Sequence, residues 1–192
     1  IDKVAIQVES TLAPDGYSQC TVVFTAPDAI PQTRQLVVEM RLISSLNVPT
    51  DYPTIQSAID AAVDGDVIVL SPGTYTGSGN RDVVFRGKAI TVRSAEGPAT
   101  CILDCGGKEE SGHRGFTFRN EETRDSVVEG LTIVNGRSDF GGAIRCEEGV
   151  SPTLRGCWFQ DNEARFWGGA VFLDENSSVH IERCRFRSNR AG

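Results

Sequence analysis

Four acidic side chains recur in pairs near the end of the chain and are the clearest candidates for metal chemistry. Glu147 and Glu148 form the first pair, and Asp174 and Glu175 form the second pair 27 residues later. Clustered carboxylate oxygens are the ligands that calcium prefers. A solvated turn, in which the like charges splay apart, explains the same residues. We prefer the turn because the aspartates do not follow the nonapeptide pattern of calcium-binding β-rolls. We therefore expect no cofactor, with calcium as the alternative.

Aromatic and basic side chains form a second candidate set, which would contact a ligand. They are Phe140, Trp158, Trp167 and Arg185. Aromatic rings along one edge can stack on sugar rings, and packing over a corner loop is the alternative explanation for Phe140 and Trp167. Trp158 and Arg185 lie 27 residues apart, which predicts a cation–π contact between them if residues at that spacing are neighbours.

Other residues with catalytic chemistry have structural explanations. The carboxylate pair in Asp64–Asp66 lies where a helix should end. His113 and His180 have no neighbouring serine or cysteine that would form a nucleophile and base, so we expect both at the surface. Arg114 and Arg124 suit an acidic sugar, although arginines are common on loops.

Composition excludes two classes of partner. The chain has 192 residues, 39% of them hydrophobic, which is enough for a core, and its net charge is −7. Nucleic acids require a concentrated basic surface, and anionic membranes attract basic segments, so neither partner is expected. No apolar run reaches the ~18 residues that a membrane span needs, so we expect no membrane insertion.

An internal repeat is the strongest signal in the sequence. The residues Gly141–Ile144 recur as Gly168–Val171, and Leu154–Asn162 recur as Ile181–Asn189, both with an offset of 27. This period is too short for a propeller blade and lacks the leucine pattern of leucine-rich repeats. Short β-branched and aromatic runs, each followed by glycine or asparagine, predict one coil of a parallel β-helix per period.

A parallel β-helix stacks like residues of successive coils, so the repeat predicts specific ladders. The predicted inward stacks are Leu131, Cys157 and Cys184; Ile133, Phe159 and Phe186; Val128, Leu154 and Ile181; Phe116, Ile144 and Val171; and Phe118, Cys146 and Leu173. The asparagines at 135, 162 and 189 should end strands and form a further ladder. Stacked cysteines fit a disulfide, but we prefer free thiols that act as small apolar fillers.

A short amphipathic helix is predicted ahead of the repeats. Ile55, Ala58, Ile59 and Ala62 form one apolar stripe at helical spacing. Pro53 suits the first turn, and a strand should follow from Val67 to Leu70. We expect this helix to cover the apolar end of the first coil.

The stretch "YPTIQSAIDAAVDGDVIVLSPGTY", followed by coils with "GGA" corners and asparagine-terminated strands, carries a family resemblance. It resembles right-handed parallel β-helix proteins of the pectin-lyase-like superfamily. The "GGA" coils are similar to repeats of polymorphic outer-membrane and autotransporter-like surface proteins of bacteria. The resemblance implies an all-β, right-handed parallel β-helix, a fold that serves lyases, hydrolases, epimerases and inert surface stalks.

Three regions follow from these patterns. Residues 1–46 form a β-rich N-terminal segment, 47–66 are a linker and the capping helix, and 67–192 are the β-helix. The last coil is incomplete, so we expect it to meet other copies of the chain or a longer parent chain. Filament formation is a further possibility.

A noncatalytic module outside the cell or at its surface is the function that we expect. It would serve structure, adhesion or assembly and contact a polysaccharide, because the "NTD", "DD" and "GHG" elements of polygalacturonase-like enzymes do not occur. The alternative is a polysaccharide lyase or another carbohydrate-active enzyme, which the superfamily resemblance implies.

Overall fold

The computed structural model describes residues 5–12, 18–25, 34–40, 45–108 and 111–192, which belong to two compact units. The unit Ile1–Ile43 contains a three-stranded antiparallel sheet. Its strands, in spatial order, are β1 (Ala5–Leu12), β2 (Ser18–Thr25) and β3 (Arg34–Met40). The unit Ser44–Gly192 is a parallel β-solenoid, as the repeat predicts.

Four parallel sheets run along the solenoid, and successive coils contribute neighbouring strands to each. The six-stranded sheet consists of β4 (Ser45–Val48), β5 (Val67–Leu70), β8 (Thr91–Ser94), β11 (Val127–Glu129), β15 (Thr153–Arg155) and β19 (His180–Glu182). The five-stranded sheet consists of β6 (Gly73–Tyr75), β9 (Cys101–Asp104), β12 (Thr132–Val134), β16 (Trp158–Gln160) and β20 (Arg185–Arg187).

The other two sheets of the solenoid are shorter. The four-stranded sheet consists of β7 (Val83–Val84), β10 (Phe116–Phe118), β14 (Ile144–Cys146) and β18 (Val171–Leu173). The three-stranded sheet consists of β13 (Arg137–Phe140), β17 (Glu163–Trp167) and β21 (Arg190–Ala191). The third and shortest of these strands pairs with β17 through Glu163 opposite Arg190.

Four of the five predicted inward ladders are confirmed by strand register. Each central residue of the four strand ladders pairs with both predicted neighbours: Leu154 with Val128 and Ile181, Phe159 with Ile133 and Phe186, Ile144 with Phe116 and Val171, and Cys146 with Phe118 and Leu173. These four central side chains are fully buried. The core is therefore a set of apolar columns that run along the solenoid axis.

One short helix, α1 (Ile55–Ala61), lies between β4 and β5. Thr54 caps it: its side chain accepts from the Ser57 backbone, and the Ser57 hydroxyl accepts from the Thr54 N–H at 3.1 Å. The predicted apolar stripe is buried, and the helix contacts β4, β5 and β7. Within the described residues, no helix combines the length and the apolar character that a membrane crossing demands.

The solenoid begins earlier than the sequence pattern indicates. Strand β4 pairs in parallel with β5, with Leu46 opposite Ile68, so the six-stranded sheet starts at Ser45. Residues 45–48 were assigned partly to an N-terminal segment and partly to a linker. Four residues without a repeat copy carry too little alternation to be recognised as a strand.

The corner glycines and the asparagine ladder follow the prediction with one correction. Gly141 adopts φ 64°, and a Cβ there would collide with the backbone of Ile144. Asn162 donates to the Asn189 side chain at 2.9 Å. Asn135, however, does not join this ladder. The offset between β12 and β16 is 26 residues, one fewer than the 27 that separate Asn162 from Asn189, so Gly136 and not Asn135 takes the position equivalent to Asn162.

Candidate ligand-binding groove

A groove of about 1000 Å³ lies beside the three-stranded sheet, and basic residues are the largest charged group in its lining. We call it the basic groove. Six basic side chains line it: Lys108, Arg114, Arg137, Arg145, Arg165 and Arg190. Among the described residues, the acidic side chains of its lining are Asp139 and Glu163. The chain as a whole has a net charge of −7, so this groove concentrates charge of the opposite sign.

The three-stranded sheet supplies one wall of the basic groove. Arg137 of β13 lies opposite Glu163 of β17, which in turn lies opposite Arg190 of β21. The Arg137 Nη2 atom donates to Glu163 Oε1 at 2.9 Å. The sheet therefore presents a column of alternating charge whose acidic member is already paired.

Two arginines from other elements form the opposite part of the lining. Arg145 is the middle residue of β14 and points outward, because its neighbours Ile144 and Cys146 are buried. Arg114 lies just before β10, and the strand register places its backbone opposite Gly142 of the next coil. Among the described residues, Arg114 Nη1 and Arg145 Nε are the buried side-chain nitrogens without a hydrogen-bond partner.

The electrostatic surroundings of Arg114 are unusual for an arginine. Burial, followed by the charge of Arg145, lowers the pKa of Arg114, while the carboxylates of Asp82, Glu147 and Asp139 act in the opposite direction. Arginine stays protonated in proteins, so the two guanidinium groups remain like charges in one groove.

Two of the four acidic residues that were weighed as calcium ligands, Glu147 and Asp174, lie near an arginine. Arg145 Nε lies 3.7 Å from Glu147 Oε1, and Arg145 Nη2 lies 3.6 Å from Asp174 Oδ2. Glu148 is exposed, and the Glu175 backbone N–H donates to Asp174 at 3.0 Å. In the described part of the chain, no group of three or more His, Cys, Asp or Glu side chains is arranged to hold a metal ion.

A cluster of aromatic residues at the corner of two coils adjoins the basic groove through Phe140, which lines it. We call Phe140, Phe166, Trp167 and Phe172 the aromatic edge. The ring centre of Phe140 lies 5.4 Å from Phe166, 5.6 Å from Trp167 and 5.1 Å from Phe172. The Arg165 guanidinium lies 5.0 Å from the Phe166 ring. Trp167 exposes 64% of its surface, whereas Phe140 is half-buried and lines the groove.

The other two candidate contact residues lie on a different sheet. Arg185 lies 5.0 Å from the Trp158 ring, in agreement with the predicted cation–π contact. Trp158 belongs to β16 and Arg185 to β20, and they are register partners in the five-stranded sheet. Neither residue lines the basic groove.

One histidine has an acidic partner that the sequence spacing hides. His113 Nδ1 lies 2.6 Å from Asp82 Oδ2, and Asp82 Oδ1 accepts from the Arg114 backbone at 3.0 Å. The pair is next to the basic groove, since residues on both sides of His113 line it. By contrast, Asp66 accepts from the Val63 backbone just after the helix, and Asp64 accepts from the Ala89 backbone before β8, at 2.9 Å each.

The last coil presents an apolar surface. Leu173, Ile181 and Phe186, which end three of the ladders, are 40%, 43% and 50% exposed. They line a shallow depression of about 480 Å³. Any further coil with the same ladder positions would cover these side chains.

Sequence reasoning did not identify five of the basic groove residues, which are Lys108, Arg137, Arg145, Arg165 and Arg190. Arg145 carries a usable signal, because the outward position of a strand between Ile144 and Cys146 must face solvent or a ligand. Arg114 was considered only as one of two loop arginines. Its contact with the groove depends on the segment before β10, which has no copy in the later coils.

Comparison with known proteins gives no match: no protein-family model, curated protein or solved structure matches this chain. The assignment of a parallel solenoid with repeats therefore rests on the structure of this chain alone. Since one fold serves many functions, the function has to be argued from the groove.

Proposed function

We propose that this chain is a noncatalytic carbohydrate-binding β-solenoid that acts outside the cell or at its surface. The observation that carries the proposal is the aromatic edge beside the basic groove. Trp167 offers an exposed ring face, and Phe140 continues the aromatic surface into the groove. Aromatic faces pack against the apolar face of a sugar ring, while neighbouring charged groups hydrogen-bond to its polar substituents.

The repeat of the solenoid favours a polymer as the ligand. Phe140 and Trp167 are register partners on adjacent strands, with ring centres 5.6 Å apart. Arg137, Glu163 and Arg190 repeat in the same way along the groove wall. A regular array of side chains suits a chain of like units better than an isolated small molecule. Polysaccharides are therefore the proposed ligand class, and the proposed place of binding is the cell surface.

Binding of polysaccharides to the wild type and two tryptophan variants tests this proposal. Trp167→Ala should weaken the affinity about threefold to tenfold, because one aromatic contact contributes about 0.5–1.5 kcal/mol. Trp158→Ala is the matched control and should bind like the wild type, because Trp158 lies on the five-stranded sheet. Isothermal titration calorimetry against a panel of neutral and acidic polysaccharides gives the affinities. The proposal fails if no polysaccharide binds, or if both variants lose affinity equally.

A polysaccharide lyase is the second candidate, and the His113–Asp82 pair favours it. A carboxylate 2.6 Å from Nδ1 orients the imidazole, which can then act as a base through its other nitrogen. In an elimination, that base removes the proton beside a uronate carboxylate, and the glycosidic C–O bond breaks as a C=C bond forms.

Formation of unsaturated products separates the two candidates. Incubation with acidic polysaccharides and measurement of the ultraviolet absorbance of the C=C product detects a lyase directly. If activity is present and His113→Gln abolishes it, the chain is an enzyme. If polysaccharide binds and no unsaturated product forms, binding without catalysis is supported.

Assembly through the last coil is a third role, which the exposed Leu173, Ile181 and Phe186 favour. The occupant would be a coil with the same ladder positions, from the same polypeptide or from another copy. Sedimentation velocity over a range of concentrations should reveal association, and Phe186→Asp should abolish it. A monomer at every concentration would exclude self-association of this chain.

A further inference from the structure

Two arginine nitrogens in the basic groove lack hydrogen-bond partners although both are buried. Within the part of the chain that the structure describes, these atoms are Arg114 Nη1 and Arg145 Nε. Leaving a buried charged donor unpaired is costly, and native structures do so for a reason such as a missing ligand. Both side chains line the same groove, so one ligand can reach both.

Among the described residues, the neighbouring carboxylates do not accept hydrogen bonds from these two nitrogens. Glu147 and Asp174 lie 3.7 and 3.6 Å from Arg145 nitrogens, which is beyond hydrogen-bond distance. Asp82 already accepts from the Arg114 backbone and contacts His113. Asp139 lines the groove but is exposed. Within the described part of the chain, Arg114 Nη1 and Arg145 Nε therefore have no hydrogen-bond acceptor.

We propose that Arg114 and Arg145 form an oxyanion-binding subsite, which takes the carboxylate or sulfate group of an acidic saccharide. The saccharide part rests on the proposed function, whereas the subsite itself is testable with inorganic anions. Guanidinium groups match oxyanions because their planar N–H groups form short, charge-assisted hydrogen bonds. An anion between the two arginines would also relieve their mutual repulsion.

The Phe140 ring supports this assignment by holding one guanidinium in place. Arg145 Cζ lies 5.8 Å from the centre of the Phe140 ring, which is itself fixed within the aromatic edge. A guanidinium placed against an aromatic face keeps its N–H edge directed outward. The ring thereby links the sugar-stacking surface to the anion subsite.

A titration with inorganic anions tests the subsite without any saccharide. Sodium sulfate and sodium acetate are added separately at constant ionic strength, with chloride as the balancing ion. The ¹⁵N–¹H resonance of Arg145 Nε and the unfolding temperature are followed. We expect saturable shifts of the resonance and a rise in unfolding temperature with sulfate, acetate or both. Resonance shifts that increase linearly with anion concentration and do not saturate would indicate general ionic effects and would overturn the proposal.

Substitutions locate the binding to the two arginines. Arg114→Gln should weaken anion affinity about tenfold or more, because it removes a charged donor. Arg145→Lys keeps the positive charge but lacks the paired N–H donors of the guanidinium group and its Nε–H. This variant should therefore bind the anion with intermediate affinity. Arg93→Gln is the control on β8, away from the groove, and should match the wild type. Equal losses in all three variants would contradict the assignment.

Folding of the variants is checked in chloride alone. Arg114→Gln removes one of two like charges, so its unfolding temperature without sulfate should equal or exceed that of the wild type. If it unfolds instead, Arg145→Lys still decides the question.

Acidic and neutral saccharides distinguish the failure of this inference from the failure of the proposed function. If acidic and neutral saccharides bind with equal affinity, and Arg114→Gln leaves both affinities unchanged, the anion subsite is rejected and carbohydrate binding is retained. Saturable sulfate binding without binding of any saccharide would keep the subsite and reject the proposed function.

Discussion

Phe159 and Phe186 stack face to face on neighbouring coils, with ring centres 5.0 Å apart and planes 16° apart. Phe159 is fully buried between Ile133 and Phe186, whereas Phe186 is 50% exposed. The same side chain in the same ladder thus has two different environments. Its energetic contribution should follow the burial and not the position in the repeat.

Phe159→Ala should therefore destabilise the solenoid much more than Phe186→Ala. The first change empties a fully buried position and should cost about 3–5 kcal/mol. The second removes a half-covered ring and should cost about 1–2 kcal/mol. Chemical denaturation monitored by circular dichroism measures both values. Equal losses would show that the ladder is not the core that the register indicates.

The repeat explains why so much of the fold was predictable from the sequence. Two segments with one common offset fix which residues share a column, and alternation then decides which of them face inward. Ile144 and Val171, for example, become neighbours without any knowledge of coordinates. The prediction failed where coil length changes, since Asn135 lies one residue out of step with Asn162.

The groove was less predictable because Arg114 and His113 have no equivalents in the later coils. Arg114 occupies the position that Gly142 and Gly169 hold in later coils, so no alignment of the copies reveals it. His113 and Asp82 are 31 residues apart and meet only because one coil lies on the next. Local spacing carries no information about such contacts between coils.

Gly142→Ala should be strongly destabilising for steric reasons alone. A Cβ at Gly142 would collide with the Gly169 carbonyl and crowd the Glu163 backbone, and its φ is not in the left-handed region. Gly149→Ala is the reverse case, because its φ is 79° and the space around it is open. We expect about 1–2 kcal/mol for the latter change and a larger loss for Gly142→Ala. Thermal unfolding of both variants provides the comparison, and the opposite ranking would refute it.

Lys88 should contribute more stability than the exposed Arg86 two residues earlier. The Lys88 Nζ atom donates to the carbonyls of Ile59, Asp60 and Ala62 at 2.6, 2.9 and 2.7 Å, where α1 ends. Lys88→Met keeps the apolar stem, leaves these carbonyls unpaired and should cost about 1–3 kcal/mol. Arg86→Met breaks an exposed ion pair with Asp60 and should cost about 1 kcal/mol or less. Guanidinium denaturation measures both, and a larger effect at Arg86 would contradict this role.

Stability should fall in acid partly through Glu182. Hydrogen bonds from Arg155 and then His180 lower the pKa of Glu182 below its ordinary value of 4.5. A lowered folded-state pKa stabilises the fold above the unfolded-state value, and this contribution disappears as the pH falls through the folded-state value. Glu182→Gln should therefore flatten the decline in unfolding temperature below pH 4.5. Parallel curves for Glu182→Gln and the wild type would rule this out.

Cys184 should be the reactive thiol of the solenoid. Contact with the Cys157 thiol lowers the pKa of Cys184 to about 7, and Cys184 is half-buried. Burial raises the pKa of the Cys105 and Cys146 thiols, which are enclosed in the core. Among the cysteines of the solenoid, iodoacetamide should therefore modify Cys184 first, at a rate that rises as the pH passes through about 7. Cys157→Ser should shift this midpoint upward, and peptide mapping by mass spectrometry measures the rates. Modification of Cys146 at a comparable rate, or an unchanged midpoint in Cys157→Ser, would contradict the pairing.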